Sequence, residues 1–278
     1  MKRIITVQDI SCVGRCSLTV ALPIISAAGV ETGVLPTAVL SNHTAFPKFT
    51  FCDLTDEISG ISEMLDELEI GFDAIYTGYL GSFRQIELVG ELIDRHKREN
   101  TLVVIDPAMA DNGKLYKGFT PEFALKMGEL CKKADVVIPN LTEACFMLGL
   151  PYMESYTEED IKSLLIRLTD NGTPAAAITG ISLKDGELGA YAYDKVRDKF
   201  FYYANEKLPV AYHGTGDIFA SATVGALMRN HSLESALAVA VDFTLECIRL
   251  TLNDEERRSY GVNFEEALPY YIKRLQYR

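Results

Sequence analysis

An α/β fold is what this sequence of 278 residues predicts, and two observations carry the expectation. Short apolar, β-rich runs alternate with stretches of helical periodicity over most of the length. Most of those runs also stop at glycine or at a polar residue. Alternation of this kind builds right-handed βαβ units, hence a central, mainly parallel sheet with helices on both faces: a three-layer α/β/α sandwich. No linker, internal repeat or low-complexity tract interrupts it, so residues 1–278 are read as a single domain.

The elements follow in order. Arg3–Gln8 is β-rich, Asp9–Ser17 is polar and contains Gly14, and Leu18–Ala28 has apolar residues at helical spacing before Gly29. Thr32–Leu35 is a second strand, followed by a long irregular stretch from Pro36 to Cys52, of a length that is usually functional. Leu54–Glu69 is an amphipathic helix, Ala74–Thr77 a buried strand ending at Gly78, Arg84–Glu99 a helix, and Leu102–Ile105 a strand ending at Asp106. Phe119–Lys133 is helical, Val136–Ile138 a strand ending at Pro139-Asn140, and helices follow at Thr142–Leu148 and Glu158–Asn171. Ala175–Ile178 is a strand ending at Thr179-Gly180, and Leu188–Tyr193 with Lys199–Tyr203 reads as an antiparallel pair. The glycine-rich segment from His213 opens a helix reaching Met228, and two more helices span Leu233–Leu252 and Phe264–Arg274. Asp254–Ser259 is read as a solvated, charged turn.

Composition narrows the function. The net charge of −12 and the pI near 4.9 argue against nucleic acid or an anionic membrane as a partner. An anionic ligand must then be held by local donors. Six scattered cysteines without a C-x-x-C pair suit reduced thiols, and although Cys12 and Cys16 lie close in sequence, no second ligand pair follows at zinc-site spacing. The amino-terminal segment turns polar too early for a secretory signal, and no apolar run approaches membrane-spanning length, so a cytoplasmic protein is expected.

The chemistry concentrates in H-G-T-G-D, His213 to Asp217. A glycine-rich turn opening a helix leaves outward N–H groups at the positive end of the helix dipole, which suits an anion. A carboxylate there competes with the anion unless it has a task, and general base for a substrate hydroxyl is one. On spacing alone, a helix start with an acidic first turn reads equally well. What favours a site is the edge as a whole, because ligands of such folds sit beyond the carboxyl ends of the strands. There the sequence puts Asp9 and Ser11, Ser41 to Thr44, Gly78-Tyr79, Asp106, Asn140 with Glu143, and Thr179-Gly180. Neither G-x-x-x-x-G-K-[ST] nor an early G-x-G-x-x-G is present, which argues against a P-loop enzyme or a dinucleotide oxidoreductase.

These residues carry a resemblance. Q-D-I-S-C-V-G-R-C-S from Gln8, S-N-H-T at 41–44, G-Y-L-G at 78–81, D-P-A-M-A-D at 106–111, P-N-L-T-E at 139–143 and G-T-G-D at 214–217 resemble the ribokinase superfamily, and within it the pyridoxal/pyridoxamine (vitamin B6) kinases. G-T-G-D marks the superfamily; S-N-H-T with G-Y-L-G is more specific. The resemblance implies a ribokinase-like fold and ATP-dependent phosphorylation of the 5′-hydroxymethyl of a B6 vitamer, with Mg²⁺, a possible monovalent cation and a homodimeric assembly. It implies Asp217 as base, Gly214, Thr215 and Gly216 as anion hole, and Asn140, Thr179 and Gly180 on ATP. Glu143, Asp106 and Asp111 would serve the metal, and Asp9, Ser11, Thr44 and Tyr79 the acceptor.

Bland alternatives stand beside these roles: Asn140 as a helix cap, Asp106 as a turn residue, and Tyr79, His43 and His213 as packed or loop side chains. One position departs from the family, where serine follows the first strand's glutamine; here it is Asp9. A carboxylate facing the pyridine would favour the aminomethyl of pyridoxamine, unless Asp9 only caps a turn. The rival readings are a hydroxymethylpyrimidine kinase of thiamine synthesis and a non-catalytic sensor of ATP or a B6 vitamer.

Overall fold

The computed structural model describes residues 1–44, 46–170 and 172–276. In chain order the elements are β1 (Arg3–Ser11), α1 (Leu18–Ala27), β2 (Glu31–Leu40), β3 (Phe51–Asp53), α2 (Thr55–Glu67), β4 (Ala74–Thr77), α3 (Phe83–His96) and β5 (Leu102–Ile105). Then come β6 (Ala110–Asp111), β7 (Lys114–Leu115), α4 (Pro121–Cys131), β8 (Val136–Val137), α5 (Leu141–Met147) and α6 (Glu158–Asp170). The last are β9 (Ala175–Ile181), β10 (Glu187–Asp194), β11 (Lys199–Glu206), α7 (Thr215–Met228), α8 (Leu233–Asn253) and α9 (Phe264–Arg274).

One nine-stranded sheet has the order β11-β10-β9-β8-β5-β4-β1-β2-β3. Its centre, β9 through β2, is parallel, while β3 at one edge and β10 at the other run against it and β11 pairs antiparallel with β10. Strand side chains alternate between two cores, as a pleat buried on both faces requires. Ile4, Tyr76 and Val104 pack with α1, α7, α8 and α9, whereas Ile5, Ile75 and Val103 pack with α2 to α6. The expected three-layer sandwich is what the chain forms.

Local chemistry fixes the helix starts. Ser82 accepts the N–H of Gln85 to cap α3, and Thr120 accepts that of Phe123 to cap α4, with Pro121 in the first turn. Two expectations need correction. The stretch 36–52 is not irregular throughout: β2 runs on to Leu40, and β3 pairs back on it. Pro36 is tolerated because it lies where the β1–β2 register shifts, between Gln8 and Ile10. Only 41–50 remains loop. The small β6–β7 hairpin was not anticipated; Asn112 and Gly113, at φ 50° and 75°, make its left-handed turn. The expected end of α6 at Asn171 lies outside the described residues.

Residues 261–271 brace the loop after β1 and the helix α7. Arg15 reaches Glu265 at 3.1 Å and also Asn263, and the Tyr271 hydroxyl donates to the carbonyl of Ala222 on α7 at 3.0 Å. Gly225 lets that happen, since a Cβ there would come within 2.2 Å of the Tyr271 oxygen. The turn at 254–259 is largely exposed, as expected, and is followed by Tyr260, whose ring lies 5.3 Å from that of Phe46 on the 41–50 loop.

Candidate active site

The start of α7 follows from steric necessity. Gly214 caps the helix at φ 81°, and a Cβ on it would lie 2.0 Å from the carbonyl oxygen of Arg15. Glycine is therefore what lets the loop after β1 press against the helix start. Gly216 has open space where a Cβ would stand, so the first-turn N–H groups have room for a ligand. Thr215 turns its hydroxyl to the carbonyl of Tyr212 at 3.1 Å. Asp217 follows, half-buried, its carboxyl pushed up to about 7 by burial and by the charge of Asp9, against the opposing N–H of Ser17. That value suits a base near neutral pH, ionised in part and still able to hold a proton.

Beside it, β1 delivers a second carboxylate. Asp9 is buried and its pKa is raised by that burial, while the hydroxyls of Ser17 and Ser11 oppose the shift. Ser11 Oγ lies 3.5 Å from Asp9 Oδ2. Burial, with the charge of Asp9, also raises the Tyr79 phenol, and the Tyr79 ring sits 5.6 Å from that of Phe119. Asp9, Ser11, Tyr79 and Asp217 are thus brought together. The Cys16 thiol is pushed up by burial and then by the charges of Asp217 and Asp9, which makes it unreactive.

Thr44 is exposed on the 41–50 loop. In that loop Ser41 and Asn42 fold the backbone, Ser41 Oγ accepting the N–H of Thr50 and Asn42 Nδ2 donating to the Lys48 carbonyl, each at 2.9 Å. The loop reaches the site through His43, whose N–H donates to Val13 at 2.8 Å and whose ring stands 5.3 Å from that of His213. Burial, then His213, lowers the His43 pKa.

Across the sheet edge, Asn140 is the cap its bland reading foresaw. Its Oδ1 accepts the Glu143 N–H at 3.0 Å and its Nδ2 donates to Ala110 at 2.7 Å. Glu143 closes the capping box, Oε2 accepting the Asn140 N–H at 2.9 Å and Oε1 those of Met109 at 2.8 Å and Ala110 at 3.3 Å. The pair therefore ties the segment after β5 to α5. Burial raises Glu143 to about 7, opposed by those N–H groups. Asp106, buried beside it, is raised well above the carboxylate range by burial, by Glu143 and by Asp217. Asp106 accepts one N–H, from Ala108 at 3.2 Å. Asp111 is exposed, its carboxylate turned to Asn112. Among the described residues no group of three or more His, Cys, Asp or Glu side chains could hold a metal. Two facing buried carboxylates do suit Mg²⁺, which takes one or two such ligands together with substrate phosphates. Thr179 bridges to Asn140, and Gly180 at φ 74° leaves open space above β9.

Sequence reasoning missed Ser17, Tyr76 and Phe119. Ser17 holds φ 48°, which no residue type in R-C-S announces. Tyr76 is fully buried on β4, and its hydroxyl, Gln8 Oε1 and Ser221 Oγ lack well-formed hydrogen bonds. Among the described residues no helix is long and apolar enough to cross a membrane.

The comparisons with known proteins fit this geometry. A Bacteroides thetaiotaomicron protein assigned as a phosphomethylpyrimidine kinase, solved with pyridoxal, is 43% identical, with a TM-score of 0.93 over 97% of this chain and 95% of that one. Pyridoxal kinase from Lactobacillus plantarum is 28% identical, with a TM-score of 0.91 over 98% of this chain and 97% of that one. Pyridoxal kinase of Arabidopsis thaliana is 26% identical over 270 residues, 93% of this chain and 85% of the relative. The phosphomethylpyrimidine kinase family model matches residues 51–260, taking in β3 through α8 and with them Asp217 at the start of α7. The chain belongs to the phosphomethylpyrimidine kinase family.

Proposed function

We propose that this protein transfers the γ-phosphoryl group of ATP to the 5′-hydroxymethyl of a vitamin B6 compound. The observation that carries the reading is Asp217 in the first turn of α7, beside the open N–H groups at Gly216 and the Asp9–Tyr79 pocket. Asp217 takes the hydroxyl proton as the oxygen attacks phosphorus, and the N–H groups at Gly214, Thr215 and Gly216 receive the charge of the transferring group. Asp106 and Glu143 would hold Mg²⁺, which neutralises charge on the nucleotide phosphates when bound; Asp111 stands farther out. Asn140, Thr179 and Gly180 border the nucleotide, and Tyr79 and Thr44 border the acceptor ring, with the 41–50 loop excluding water. Asp9 favours a cationic substituent, hence pyridoxamine. A homodimer in the cytoplasm is the assembly and compartment that go with this reading.

Hydroxymethylpyrimidine phosphorylation is the second reading, favoured by the family model that matches the chain. The experiment measures ADP release with Mg-ATP and pyridoxamine, pyridoxal, pyridoxine or hydroxymethylpyrimidine. Turnover of a B6 compound, lost about 10²–10⁴-fold in Asp217→Asn, is the expected result. Turnover of hydroxymethylpyrimidine alone, or activity surviving the substitution, overturns it. Asp9→Ser should lower the preference for pyridoxamine over pyridoxal; an unchanged ratio refutes the role given to Asp9.

A further inference from the structure

At the third position of a helix, a glutamine or glutamate normally reaches back to the main-chain N–H of the cap residue, as Glu143 does to Asn140 at the start of α5. Gln85 holds that position in α3, where Ser82 is the cap. Its side chain passes Ser82 and takes the N–H of Gly81 instead, Oε1 accepting at 2.7 Å. The amide nitrogen turns away from the helix, donating to the Thr37 carbonyl at 3.1 Å, to Thr55 Oγ1 at 2.9 Å and to Asp53 Oδ1 at 3.4 Å. The Gly81 nitrogen only donates and the Thr37 carbonyl only accepts, so the amide sits one way round. Gln85 is 1% exposed, and these bonds are made away from solvent.

The two ends of the amide serve different segments. Gly81 carries the Tyr79 ring: a Cβ built on it would stand 3.6 Å from both Tyr79 Cε1 and Gln85 Oε1. Thr37 lies in β2 and Asp53 ends β3, the two strands that enter and leave the 41–50 loop. We propose that Gln85 is a positioning residue for the acceptor, its carbonyl oxygen fixing the turn under Tyr79 and its NH₂ locking that turn to the β2–β3 hairpin. The inference rests on Tyr79 bordering the acceptor, as in the reading above, and not on which hydroxymethyl compound the acceptor is.

Gln85→Met keeps the length of the side chain and removes both polar ends, whereas Gln85→Glu keeps an oxygen for the Gly81 N–H and loses the donors. Measured on the acceptor that the wild type turns over fastest, Gln85→Met should raise KM for that acceptor about tenfold, with kcat and KM for ATP within about twofold of wild type. Gln85→Glu should lower Tm, because a carboxylate then faces Asp53 and the Thr37 carbonyl, and yet keep the acceptor KM within about threefold of wild type. A merely structural role would move Tm and both KM values together. Tyr79→Ala should raise the same acceptor KM, and Gln85→Met added to it should raise it no further, since both act through one ring. An unchanged acceptor KM in Gln85→Met, or additive effects in the double variant, overturns the proposal. So does a rise of about tenfold in Gln85→Glu, which decides the matter alone if Gln85→Met does not fold. If Tyr79→Ala leaves the acceptor KM unchanged, the role given to Tyr79 falls and this proposal with it; if Tyr79→Ala raises it and Gln85→Met does not, this proposal alone falls. If the wild type uses hydroxymethylpyrimidine and no B6 compound, the reading of the previous section falls while the Gln85 comparison proceeds on that acceptor. A wild type that phosphorylates none of the four overturns both.

Discussion

In Glu143→Gln the side chain keeps its shape while one acceptor oxygen becomes an NH₂ donor. Glu143 receives three buried N–H groups, from Met109 and Ala110 on one oxygen and from Asn140 on the other. Glutamine can serve one side only, leaving donor against donor on the other. A hydrogen bond to a carboxylate contributes about 1.5–3 kcal/mol, and a buried donor without a partner costs about 1–3 kcal/mol. Against this, glutamine escapes the desolvation that raises the carboxyl to about 7. The net expectation is a loss of roughly 1–3 kcal/mol, or a Tm lower by about 3–10 °C. The assay is thermal unfolding at pH 8 in EDTA without nucleotide, where no metal can contribute. A metal-free Tm equal to that of the wild type would refute the reasoning, since the carboxylate would then serve a cation and not the backbone.

Further outcomes follow from the same geometry. Asp217 has its pKa raised from 3.8 to about 7 and Glu143 from 4.5 to about 7, so between those values the folded chain binds more protons than the unfolded one. Stability contributed by these groups is present below the lower values and is lost as pH rises to about 7; in Asp217→Asn the decline should be shallower by denaturant titration. Activity should move the opposite way, kcat/KM rising through pH about 7 as Asp217 ionises, and a flat profile from pH 6 to 8 would count against the base. Gly214→Ala meets the Arg15 carbonyl at 2.0 Å and should cost about 2 kcal/mol or more of stability together with activity. Gly216→Ala meets nothing within 4 Å, so it should fold with an unchanged or higher Tm and yet lose turnover by about tenfold, because its methyl would enter the proposed anion site.

The sheet and helices were legible because period and punctuation agree along the chain, from Ile4 and Ile5 facing opposite cores to Gly29 closing the turn after α1. Pro36 misled because a proline mid-strand reads as a break unless the partner strand carries an irregularity, and that is a property of pairing. The β6–β7 hairpin did announce itself in Asn112-Gly113, but the acidic residues around it drew the reading toward a ligand set. The gathering of Asp9, Tyr79 and Asp217 followed from topology alone, since each lies at or beyond the carboxyl end of its strand or in the α7 start. What Asn140 and Glu143 hold, and the backbone of Ser17, depend on how 106–113 and 12–17 are pressed by neighbours distant in sequence, which no local pattern encodes.

The brace formed by Arg15 with Asn263 and Glu265, and by Tyr271 on α7, sets an order on the birth of the active protein. The loop after β1 is synthesised well before the side chains that pin it, which emerge some 250 residues later. A nascent chain can lay down the parallel sheet and still lack a registered α7. A ribosome-bound intermediate is therefore expected to be catalytically silent, and a premature stop before Asn263 to leave a folded sheet whose 12–17 loop is unpinned.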